Sequence, residues 1–131
     1  MKKKKKILAI DDEEDFLRIL EARILSAGFD VVTAKSGQEA LDMFENEKPD
    51  LVLLDIMLPG IGGLDVLKKM REQNKTLPIF IITAFKNEKR FMIANELNAS
   101  GFIIKGGDLT AEIEKMKEII AIADKSGRKD V

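Results

Sequence analysis

The 131-residue chain has neither cysteine nor histidine. No disulfide framework, thiolate or imidazole metal site, or nucleophile dependent on a histidine base can be built from it. Zinc chemistry and Ser-His-Asp hydrolysis are thereby excluded. Aromatic residues make up only 5% of the chain, and no second basic stripe accompanies the lysines at positions 2–6. That combination gives no platform for stacking or tracking nucleic acid. Long apolar runs are missing as well. Ile7-Leu8-Ala9-Ile10 follows the lysines as a signal peptide would begin, but it stops at once in Asp11-Asp12-Glu13-Glu14-Asp15. This leaves no h-region and no stretch able to cross a bilayer, so a cytoplasmic protein without direct nucleic-acid or membrane contact is expected.

What is present suits one soluble globule: 45% hydrophobic and 34% charged residues, with 22 Lys and Arg against 23 Asp and Glu. The formal charge of −1 conceals an asymmetry. Without the five lysines at 2–6 the balance is 17 basic to 23 acidic, a net of −6. The lysine run reads as a solvated tail. Carboxylates, lysines, arginines and hydroxyls remain for chemistry, a set suited to magnesium and phosphate.

Short β-branched apolar runs alternate five times with segments of helical spacing, which predicts an α/β domain of five βα units. The predicted strands are 7–10, 29–34, 51–54, 79–82 and 102–104. Each is apolar at nearly every position, as parallel strands covered on both faces should be. The first helix carries Phe16, Leu17, Leu20 and Ile24 and closes at Gly28. The second opens with a capping box, Ser36 with Glu39 three residues on, before Ala40, Leu41 and Phe44. Helices three and four are predicted at 64–73 and 88–97. The last follows Asp108 as N-cap and packs Leu109, Ile113, Met116, Ile120 and Ala123, with Ile119 and Ile122 off that stripe. The expected organisation is a tail at 1–6, one domain at 7–124 and a tail at 125–131 too short for an output domain.

Right-handed βα units wind into an open parallel sheet whose working groups gather at the carboxyl ends of the strands. Strand one ends in Asp11-Asp12, strand three in Asp55, strand four in Thr83-Ala84 and strand five in Lys105. One carboxylate pair at ~4 Å costs ~4 kcal/mol at an effective dielectric near ~20, so a cation must enter. Oxygen-only ligands select magnesium over zinc. Lys105 brings a fixed positive charge from the side opposite the acidic pair, and Thr83 a hydroxyl donor. A carboxylate so flanked is an electrostatic clamp for phosphoryl transfer. With no thiol or activated hydroxyl, a carboxylate oxygen is the nucleophile, and Asp55 on the central strand is the candidate, with Asp11 and Asp12 holding the metal.

Singly, each residue has a plainer role: Asp12 a helix cap, Thr83 a turn hydroxyl, Lys105 a surface lysine. Their joint placement, one at each of four strand ends, sets that aside. The segments ILAIDDEEDF, LVLLDIMLPGIGGLDVL, IFIITAF and GFIIK, with 22 residues from Thr83 to Lys105, resemble the receiver domain of two-component response regulators over about residues 6–124. The resemblance implies a flavodoxin-like doubly wound (βα)5 fold with strand order 2-1-3-4-5. It also implies that Asp55 accepts a phosphoryl group from a histidine kinase or phosphotransfer protein. Asp12 and Asp55 would bind Mg2+ (or Mn2+) directly, Asp11 through a water, and Met57 through its backbone carbonyl. Lys105, Thr83 and the amides of Ile56 and Ala84 would hold the phosphoryl oxygens. Thr83 and Phe102 would be the switch residues that reshape the surface of helix four, strand five and helix five for a downstream partner. The protein would be a signalling module and no conventional enzyme, a monomer or a weak phosphorylation-dependent dimer.

Three positions depart from the family pattern. Gly106 stands where a proline with a cis bond is usual, and a trans, looser Gly106-Gly107 loop is expected. Gly62 replaces a capping Asp or Asn before helix three. Asn98 replaces a common glycine and tolerates a left-handed backbone. Rival readings are weaker. Gly60-Ile61-Gly62-Gly63 fails the dinucleotide fingerprint at Asp65. A haloacid-type phosphohydrolase needs an acid two residues after its nucleophile, where Met57 stands. A receiver-like scaffold that is never phosphorylated is the remaining alternative.

Overall fold

A computed structural model describes residues 4–84 and 88–125. Five strands, β1 (Lys6–Ile10), β2 (Asp30–Ala34), β3 (Leu51–Asp55), β4 (Ile79–Thr83) and β5 (Gly101–Ile104), alternate with five helices. The helices are α1 (Glu14–Ser26), α2 (Gly37–Glu47), α3 (Gly63–Gln73), α4 (Glu88–Glu96) and α5 (Leu109–Lys125). All strands pair in parallel, in the expected order β2-β1-β3-β4-β5.

The period of two along each strand divides the core into two layers. Leu8, Ile10, Val52, Leu54, Ile79 and Ile81 face one side, where Ala40 and Phe44 of α2, Leu67 and Met70 of α3 and Ala94 of α4 cover them. Ile7, Ala9, Leu51, Leu53, Phe80 and Ile82 face the other, under Leu17, Leu20 and Ile24 of α1 and Ile113, Met116 and Ile120 of α5. Central β3 and β4 are buried at all five positions. The expectation of full cover fails at both edges: β5 has one buried and three half-buried residues, and β2 is more open still. As an edge strand it has one exposed, three half-buried and one buried residue.

Local chemistry explains most helix ends. Ser36 Oγ accepts the Glu39 amide at 3.2 Å, and Glu39 returns the bond to the Lys35 amide at 2.7 Å, one residue ahead of the capping-box partner. Asp108 Oδ1 accepts the Ala111 amide at 3.2 Å and caps α5. Gly62 starts α3 with no side-chain cap, as expected of a glycine there. Asn98 has φ 65°, the left-handed conformation expected of it, and no described peptide bond is cis. Ile119, expected off the buried stripe, is half-buried against the layer under α1 and α5, while Ile122 is exposed. The side chain of Ala123 lies outside the described residues. The lysine run is not wholly tail: Lys6 opens β1, its amide donating to Asp50 Oδ2 at 2.8 Å and its ammonium pairing with Glu47 at 2.9 Å.

Candidate functional site

Register brings the strand ends together. Ile10 pairs with Leu54, Asp55 with Ile82 and Thr83 with Ile104. Asp11, Asp55, Thr83 and Lys105 therefore stand side by side at one edge. Asp11 is fully buried, Asp55 and Thr83 nearly so, while Asp12 is exposed.

One carboxylate oxygen from each of Asp11, Asp12 and Asp55 lies within 4.8 Å of the others. An all-oxygen set with one solvent-facing member fits a hard divalent cation that keeps some of its waters. Asp12 makes no helix cap: the N-cap of α1 is Glu13, without a side-chain bond, and Asp11 Oδ1 accepts the Glu13 amide at 2.9 Å.

Asp55 Oδ1 accepts the Met57 amide at 2.9 Å. Burial pushes the Asp55 carboxyl up to about 6, and the neighbouring Asp11 charge adds to the rise while the Met57 amide and Lys105 oppose it. The Ile56 amide, expected at the phosphoryl oxygens, donates to the Ile82 carbonyl at 3.2 Å as a rung of the sheet. The amide that faces the Asp55 carboxylate is that of Met57. Ala84 follows β4 at an exposed position, and Phe102 is half-buried against the layer under α2, α3 and α4.

Lys105 was expected on the far side of Asp55 from the acidic pair. Its ammonium instead reaches across, 2.8 Å from Asp11 Oδ2 and 3.7 Å from Asp55 Oδ2, and it also pairs with Glu13. It lies 4.9 Å from the centre of the Phe16 ring. The reason is electrostatic: one ammonium settles where several carboxylates crowd. Burial alone would lower its pKa, but the close carboxylates of Asp11, Glu13 and Asp55 outweigh that and hold it above the ordinary lysine value. The following Gly106 takes φ +86°, and the Gly107 amide donates to the Ile104 carbonyl at 3.1 Å.

Two residues at the site escaped the sequence reading. Glu13 was one acid among five in a row, and nothing local singles it out. Gly63 packs the start of α3 against the end of β3: a β-carbon there would lie 2.4 Å from the Asp55 carbonyl oxygen and 2.6 Å from the Ile56 Cα. Its place after a strand and before a helix was the available signal.

An open parallel sheet with carboxylates at the ends of its central strands and a lysine just past its edge strand forms an acidic crevice at its carboxyl edge. A sequence model of the response regulator receiver domain matches residues 7–120, and the chain belongs to that family. It is 43% identical over 101 residues to the alkaline phosphatase synthesis transcriptional regulatory protein PhoP of Bacillus subtilis (strain 168), covering 77% of this chain and 42% of the relative. It is 41% identical over 102 residues to the probable transcriptional regulator ycf27 of Porphyridium aerugineum, covering 78% and 42%. The chain thus spans less than half the length of these two relatives. The crystal structure of a CheY-like receiver domain protein from Methanospirillum hungatei JF-1 superposes with a TM-score of 0.91 at 26% identity, covering 95% of this chain and all of that one. A putative response regulator from Chloroflexus aurantiacus J-10-fl gives a TM-score of 0.84 at 31% identity, covering 91% and 99%. Among the described residues no helix is long and apolar enough to cross a membrane.

Proposed function

We propose that this receiver domain is a phosphoacceptor that takes a phosphoryl group on Asp55 from a histidine kinase or phosphotransfer protein. The supporting observation is the meeting of Asp11, Asp12 and Asp55 within 4.8 Å with the Lys105 ammonium among them. An Asp55 oxygen attacks phosphorus as the donor's P–N bond breaks, and the electron pair of that bond returns to the donor imidazole. Asp12 and Asp55, Asp11 through a water and the Met57 carbonyl would hold Mg2+ or Mn2+, which would supply positive charge to offset the transferring oxygens. Lys105, the Thr83 hydroxyl and the Ala84 amide receive those oxygens. The Ile56 amide joins them only by leaving the Ile82 carbonyl, so the Met57 amide, already turned to the carboxylate, is the better-placed donor.

The new charge biases a two-state element. Thr83 is drawn to the phosphate, Phe102 turns inward from its half-buried place, and the face of α4, β5 and α5 changes for a downstream protein, with the chain a monomer or a weak phosphorylation-dependent dimer. The same groups return the phosphoryl group to water, which makes the domain a timed signal in the cytoplasm. Residues 7–124 act as the receiver, together with Lys6, which opens β1, and Lys125, which ends α5.

Incubation with acetyl phosphate and Mg2+, followed by mass measurement, tests the reading. The expected result is a gain of one phosphoryl group that Asp55→Asn abolishes. No gain from acetyl phosphate or a cognate kinase overturns it in favour of an unphosphorylated scaffold, and turnover of free phosphate esters would point to a phosphohydrolase.

A further inference from the structure

The Lys105 ammonium is held by groups from one short segment: Asp11 Oδ2 at 2.8 Å, the Glu13 carboxylate, and the Phe16 ring at 4.9 Å. Asp55, the group it serves in the reading above, is the more distant of the two buried carboxylates at 3.7 Å. The Lys105 amide donates to the Thr83 carbonyl at 2.8 Å, which fixes the residue's backbone, while Gly106 at φ +86° follows it. The head group sits where its contacts place it. Asp11 is fully buried and committed to the site through its bond from the Glu13 amide. The Glu13 carboxylate differs: its side chain is 63% exposed, and although the residue is the N-cap of α1 its carboxylate makes no cap bond there.

We propose that Glu13 is a positioning residue that draws Lys105 toward Asp11 and away from Asp55, and so acts as a brake on phosphoryl capture. The proposal rests on the phosphoacceptor reading. An ammonium has three donors, and here the carboxylates of Asp11 and Glu13 claim them more closely than the nucleophile does. A phosphoryl group entering at Asp55 brings several anionic oxygens and competes for the same donors with stronger, charge-assisted bonds. A largely exposed carboxylate is screened by water and holds its partner weakly. Lys105 therefore has to leave Glu13 early in capture, and the ease of leaving sets part of the rate.

The test compares Glu13→Gln with Glu14→Gln in the full chain. Glu14 is equally exposed and pairs with Lys35 at 3.2 Å, so the second variant removes the same charge one residue on without touching Lys105. The readouts are the initial rate of phosphorylation by acetyl phosphate with Mg2+, and the side-chain ammonium 15N resonance of Lys105. Glu13→Gln is expected to speed phosphorylation about twofold to fivefold, the range of an exposed ion pair, and to shift the Lys105 resonance. Glu14→Gln is expected to match the wild type in both. A Glu13→Gln rate equal to or below that of Glu14→Gln, or an unmoved Lys105 resonance, overturns the role of Glu13 and leaves the phosphoacceptor reading intact. Absence of phosphorylation in the wild type itself overturns that reading, and this proposal with it.

Discussion

The α-carbon of Gly63 approaches the backbone of Asp55 so closely that a β-carbon would stand 2.4 Å from the Asp55 carbonyl oxygen. The obstacle is strand backbone, which cannot swing aside as a side chain would. Gly63→Ala should therefore push the start of α3 off β3 and lower stability by about 1–3 kcal/mol, as overpacking does. A urea midpoint no lower than wild type would show that the contact is slack. Phosphorylation by acetyl phosphate should slow in the same variant, because Met57 lies between the two elements.

Asp55 makes stability depend on pH in a direction opposite to most surface carboxylates. Burial, aided by the Asp11 charge, lifts its folded pKa to about 6, above the unfolded value of 3.8. Between those values the folded chain keeps a proton that the unfolded chain has lost, so the proton favours folding, and this advantage disappears as pH rises through about 6. Asp55→Asn imitates the protonated form at every pH. It should match wild type near pH ~3, below the unfolded pKa, and exceed it by roughly 1–3 kcal/mol at pH ~8. Thermal melts at both pH values check this, and a gap that closes as pH rises would reverse the assignment.

Magnesium should raise the melting temperature. A cation that binds the carboxylates of the folded chain stabilises it by RT ln(1 + [L]/Kd). Asp11, Asp12 and Asp55 are dispersed in the unfolded chain, so only the folded form offers the site. The shift should grow with Mg2+ in the millimolar range and shrink in Asp12→Asn, which changes an exposed ligand and leaves the buried core alone. An identical shift in that variant would mean that the ion binds elsewhere.

Arg71 ties three segments together. Its Nε donates to the Asn98 carbonyl at 2.9 Å and its Nη1 to the Asn74 carbonyl at 3.1 Å, while Nη2 stands 3.4 Å from Ser100 Oγ. Ser100 Oγ in turn accepts the Ile79 amide at 2.9 Å. The residue is 8% exposed, so its loss leaves carbonyls at the ends of α3 and α4 without a partner. Arg71→Met retains the stem and removes the donors, and should cost about 2–3 kcal/mol. A urea midpoint equal to wild type would mean that water takes over those bonds.

Much of the site was readable along the chain, because each of its members ends an apolar run: Asp11 after Ile10, Asp55 after Leu54, Thr83 after Ile82, Lys105 after Ile104. In a parallel sheet, the end of a run is the end of a strand, and strand ends meet. The half-buried state of β2 and the embedding of Ile119 were not readable, since cover depends on which neighbours a surface meets. The bond from the Ile56 amide to the Ile82 carbonyl was not readable for a similar reason, since it depends on β4 lying beside it.

Local pattern was enough to establish five strands, five helices, their boundaries to within a residue or two and the oxygen-rich chemistry available. Those follow from side-chain periodicity and residue type, which act over a few positions. Where the ammonium of Lys105 rests follows from no such rule. It is set by Glu13, 92 residues away in sequence, and by Asp11 and Phe16 beside it. Coulomb attraction acts on distance in space, and that distance exists only once the sheet has assembled.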